Sequence, residues 1–90
     1  MFDENQPKMH DQFIEKMVKN LPVLRASIRI SQRELANKIG ITRQSMMAIE
    51  TRKRTLQWST YLALVLIFQQ NEESNVLLEN LDIFHQSFLD

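Results

Sequence analysis

The chain has 90 residues, the size of one domain, and a domain this small hides only about 60–65% of its unfolded surface, which excludes two independent cores. It has no cysteine, which excludes a disulfide scaffold, a thiolate metal site and a cysteine nucleophile, and fits a reducing, cytoplasmic setting. Lys plus Arg and Asp plus Glu number 11 each, yet the zero net charge does not exclude a polyanion partner, because positions 25–54 hold eight basic residues against two acidic ones (Glu34, Glu50).

In chain order, positions 1–8 are polar and hold Pro7, which reads as a loose lead-in without a leader peptide. Phe13, Ile14, Met17, Val18 and Leu21 recur at helical spacing, so Asp11 to Lys19 is predicted to be helical. Asn20 and Pro22 punctuate that pattern, and Asn20 is expected to cap a separate helix with Pro22 in its first turn, running through Val23, Leu24 and Ile28. Ser31 followed three residues later by Glu34 reads as a capping box, opening a helix with Leu35, Ala36 and Ile39 on one face. Gly40, the single glycine, stands where a left-handed residue ends that helix. Thr42 caps the next, Arg43 to Thr51, with Met46 and Ile49 inward, and a basic loop, Arg52 to Thr55, follows. Trp58 to Phe68 is a strongly apolar helix and the expected centre of the core; Trp58 is read as a core anchor in preference to a DNA contact. Its longest apolar run is far short of the roughly 20 residues that cross a membrane. Glu72 and Glu73 open a last helix reaching about Asn80, and Leu81 to Asp90 is apolar, acidic and without a clear assignment. His10 and His85 have no ligand spacing around them and read as surface histidines.

The stretch from Ser31 to Glu50 therefore reads as two short helices joined by Gly40-Ile41-Thr42, a helix-turn-helix. Ala36 is small because the second helix crosses it, Gly40 permits the tight turn, and Ile41 plugs the junction. The outward face of the second helix offers Arg43, Gln44, Met47, Ala48 and Thr51. Arg and Gln in the first turn of a short helix suit base edges in a major groove, and the capped N-terminus at Thr42 suits a phosphate.

The pattern L-x-x-L-R, then S-Q-x-x-L-A-x-x-x-G-I-T-R-Q-S-x-x-x-I-E, resembles the lambda-repressor-like, Cro-type (XRE) helix-turn-helix family over about Leu21 to Phe68. The resemblance implies an all-α bundle of about five helices, here with an added N-terminal helix or segment. It divides the chain into an extension at 1–20, a DNA-binding domain at 21–70 with its motif at 31–50, and a helix with an acidic tail at 71–90, all in one compact unit. It implies that Gln32 anchors a backbone phosphate, that Arg43, Gln44 and Ala48 face bases, and that Arg52, Lys53 and Arg54 track the backbone. It further implies that Arg25 and Glu50 form a buried pair. Two positions depart from the family pattern: no glycine follows Glu50, and Met47 is apolar where a polar residue is common.

These readings predict a regulator that binds specific double-stranded DNA as a homodimer and represses transcription, with no catalysis, cofactor or metal. Arg43, Gln44, Met47 and Ala48 are the expected base readers; Gln32, Thr42, Ser45, Thr51, Arg52, Lys53 and Arg54 are the expected backbone contacts. Ser45 stands evenly between the two roles. The alternatives are an antitoxin that also binds its own promoter, and a protein-interaction module that binds no DNA. Phe84, Phe88 and Leu89 in the tail either close the monomer core, form a dimer interface or bind another protein.

Overall fold

Met17, Val18, Leu21 and Leu24 recur at intervals of three and four residues, and in the computed structural model they lie on the buried face of a single helix. The structure describes residues 6–84, with side chains from His10 onward; the tail residues His85, Phe88 and Leu89 lie outside the described residues. Five helices follow one another: α1 (Gln6–Ser27), α2 (Gln32–Ile39), α3 (Arg43–Glu50), α4 (Trp58–Gln69) and α5 (Glu72–Asn80). Among the described residues there is no strand, so the fold is an all-α bundle. None of these helices is long and apolar enough to cross a membrane.

Helix α1 corrects the expected break at Asn20 and Pro22. It is continuous from Gln6, inside the expected lead-in, and carries Pro22 in its interior. The Asn20 side chain does not cap; its Nδ2 donates to the Lys16 carbonyl at 2.8 Å, one turn back. Pro22 is exposed, so its ring meets solvent, and it has no N–H to donate to the Val18 carbonyl one turn back. An interior proline costs about 3 kcal/mol. Burying Met17, Leu21 and Leu24 completely returns about 1.5–3 kcal/mol each, and that stripe keeps one axis only if the helix runs on.

Four helix ends share one construction. Arg29, Gly40, Arg52 and Asp82 have positive φ (56°, 79°, 64° and 57°). Their amides bond back three residues, and the next amides bond back five: Ile30 to Arg25, Ile41 to Ala36, Lys53 to Ala48, and Ile83 to Leu78, at 2.8–3.0 Å. This is the Schellman arrangement, which satisfies the last carbonyls of a helix. The residue after the left-handed one is isoleucine in three of the four, and Ile30 and Ile83 are buried. The glycine missing after Glu50 is thus replaced by Arg52 in the conformation a glycine would take.

Helix α4 is the centre of the core, as its apolar run predicts. It packs on α1, α2 and α5 and buries Tyr61, Leu64, Val65 and Phe68. The Tyr61 hydroxyl donates to the Ile83 carbonyl at 2.7 Å, and burial pushes its pKa above the usual phenol range. Trp58 is half-buried and stacked between His10 (ring centroids 3.7 Å) and Tyr61 (4.6 Å), which fixes it against α1. Ile83 and Phe84 are buried, so the described part of the tail closes the monomer core.

Candidate nucleic-acid interface

Ser31 opens α2 with both bonds of the capping box: the Glu34 amide donates to Ser31 Oγ (3.0 Å), and the Ser31 amide donates to Glu34 Oε1 (3.2 Å). The backbone bond from Ser31, and then its hydroxyl, hold the Glu34 carboxyl below its usual pKa. Leu35 and Ala36 are buried, and α3 crosses against that face. A Cβ placed on Gly40 would meet nothing within 4 Å, so only the left-handed backbone, not space, calls for glycine there.

Thr42 caps α3 by accepting from the Ser45 amide at 3.0 Å. Its hydroxyl also donates to Ser45 Oγ (2.9 Å), and Arg54 Nη1 donates to the same oxygen (2.6 Å). Ser45 Oγ thus accepts twice, and its own proton is directed away from both partners. Met46 and Ile49 face the core, as expected. Arg43, Gln44 and Met47 face solvent, Met47 with 41% of its surface exposed, and Ala48 is half-buried between them and the core. The Thr51 hydroxyl is spent on the end of its own helix, donating to the Met47 carbonyl at 2.9 Å.

Arg25 of α1 holds the other end of α3. Its Nε and Nη2 donate to the two Glu50 carboxylate oxygens at 2.7 and 3.0 Å, and the Glu50 side chain is only 7% exposed. Both oxygens are met in one plane, which a lysine cannot do. Loss of either partner leaves a buried charge unpaired, at a penalty of about 3–5 kcal/mol.

Two shallow concavities flank α3. One is lined by Arg25, Ser31, Gln32, Arg33 and Arg43, the other by Thr42, Gln44, Ser45, Ala48, Lys53 and Arg54. No acidic residue lines either. Arg33 belongs to the first and is absent from the expected set; its place beside Gln32 in the basic segment was the available signal. The basic run after α3 is divided. Arg54 turns to Ser45 and Lys53 lines the same concavity, while Arg52 turns the other way, its Nη1 2.5 and 2.6 Å from the two carboxylate oxygens of Glu15 on α1. Glu72, Glu73, Glu79 and Asp82 line neither concavity, and Asp82 instead accepts from Lys16 Nζ at 2.7 Å. Comparison of the chain with protein-family models, curated proteins and solved structures finds no match.

Proposed function

We propose that this chain binds specific double-stranded DNA by seating α3 in the major groove, and that it represses transcription by occupying its site as a homodimer. One observation carries the reading: an eight-residue helix, about 12 Å long, presents Arg43 and Gln44 to solvent between two basic concavities that contain no acid. A helix with its side chains is about 10–12 Å across, which fits the width of the groove, roughly 12 Å. Arg43 can fork onto a guanine and Gln44 onto an adenine, with Met47 and Ala48 placed for thymine methyl groups. Gln32 and Arg33 on one flank, and Ser45, Lys53 and Arg54 on the other, are disposed to hold the phosphates of the two groove walls. The likeness of Ser31 to Glu50 to the lambda-repressor-like pattern supports the same assignment. One such module makes a small interface, and a two-fold pair on half-sites about one helical turn apart supplies the missing affinity.

Selection of bound sequences from a random duplex library tests the proposal. Enrichment of a palindrome is the expected result. Arg43→Ala should then relax preference at one base position per half-site, at a loss of about 1–3 kcal/mol. If no sequence is enriched and binding is insensitive to salt, the chain is a protein-interaction module instead.

A further inference from the structure

The pairing of Arg52 with Glu15 bears on how tightly DNA is held. Both side chains are open to solvent, at 50% and 60% exposure, and one guanidinium nitrogen is shared between both carboxylate oxygens. The left-handed backbone at Arg52 turns this side chain away from Lys53 and Arg54 and toward α1. The pair spans a cleft floored by Ile14, Val18, Ile49 and Leu56. A guanidinium donates to phosphate oxygens as it does to carboxylate oxygens, and an exposed ion pair of this kind is weak enough to exchange.

We propose that Glu15 competes with a DNA backbone phosphate for Arg52, so that α1 sets the number of phosphates the protein neutralises. The proposal rests on the DNA-binding reading above and deepens it. Glu15 acts only through Arg52 and is a positioning residue. In free protein Arg52 ties the end of α3 to α1. On DNA it either stays with Glu15 or leaves for a phosphate, and Glu15 opposes the transfer.

The test is the salt dependence of binding to a fluorescein-labelled random-sequence duplex, for the wild type, Glu15→Gln, Arg52→Ala and the double variant. Asp11→Asn, one turn earlier on α1, controls for removal of a negative charge. Glu15→Gln should bind more tightly at low salt and steepen the plot of log affinity against log salt by about 0.9, the value of one added phosphate contact. Its advantage over the wild type should therefore shrink about 3.5-fold between about 50 and about 200 mM salt. The double variant should match Arg52→Ala, and Asp11→Asn should leave the slope unchanged. A partial loss of fold lowers binding at every salt concentration and does not steepen the slope. The proposal is overturned if Glu15→Gln keeps the wild-type slope, or if its gain survives in the Arg52→Ala background. If the wild type binds no duplex at low salt, the DNA-binding reading falls and takes this proposal with it. If it binds with a normal salt slope that Glu15→Gln does not change, only this proposal falls.

Discussion

Four residues carry the left-handed turns that end the helices, and only Gly40 does so without steric penalty. An L-residue in that conformation costs about 1–2 kcal/mol, part of which a glycine returns through its greater freedom in the unfolded chain. Arg29→Gly should accordingly stabilise the protein by about 0.5–1 kcal/mol, a rise in Tm of about 2–8 °C in thermal unfolding. Gly40→Ala should do the reverse, destabilising by about 1 kcal/mol through its backbone alone, since a Cβ there has open space. A larger loss in the same measurement would mean that contacts and not φ govern the position. Gly40 was legible in the sequence because glycine announces this conformation. Arg29, Arg52 and Asp82 were not, because neither arginine nor aspartate does so. For Arg29 and Asp82 the available signal was the isoleucine after the turn, at positions 30 and 83, while Lys53 after Arg52 gives none.

At the level of single elements, what is local was readable and what is long-range was not. The capping box at Ser31 and the cap at Thr42 use partners three residues away, so spacing alone predicts them. The Glu34 carboxyl titrates lower in the folded protein than its ordinary value of 4.5. Its contribution to α2 is therefore complete above that value and is lost as pH falls through the lower folded value. Glu34→Gln keeps the reciprocal bond without the charge. Urea unfolding at neutral pH and at about pH 3 should show a smaller acid loss in Glu34→Gln than in the wild type. The break expected at Pro22 failed for the opposite reason. Proline and Asn20 are strong local signals, and they were outweighed by side chains buried on the far side of the helix. Pro22→Ala restores an amide for the Val18 carbonyl, and should stabilise α1 by about 2 kcal/mol after allowing for the looser unfolded chain. Chemical denaturation measures this directly.

For the whole molecule, the zero net charge is the sum of a basic segment at positions 25–54 and an acidic remainder. The basic residues that line the concavities beside α3 belong to positions 25–54, while the acidic residues of α5 and the turn after it lie elsewhere. Lys53 lines one concavity, and on the proposed reading it meets phosphate and not a base. Lys53→Ala should weaken binding to all duplexes alike and lower the salt slope by about 0.9. A change in sequence preference measured by library selection would place Lys53 at the bases instead. The motif and its outward face were legible because helical period and caps fix which side chains point out. The Arg25–Glu50 pair was legible only through the family likeness, and Glu15–Arg52, 37 residues apart, not at all, since periodicity says nothing about which exposed charges meet.

Helix α1 is made before the helices it packs on, and two of those, α4 and α5, follow only after the helix-turn-helix. It packs on α3, α4 and α5 but owes little to its neighbour α2, and Lys16 waits 66 residues for Asp82. The α2–α3 hairpin needs only contacts between adjacent elements and can form early. The stripe of Met17, Leu21 and Leu24 is not fully covered until α4 and α5 have joined α3 against α1. Tyr61 likewise obtains its hydrogen-bond acceptor only when Ile83 arrives. The core is therefore completed only when the turn after α5 has been made, and a nascent chain stopped at Asn80 would carry a formed hairpin beside an incompletely covered apolar helix. Such a chain is exposed to proteases and to association through α1 until the last turn closes.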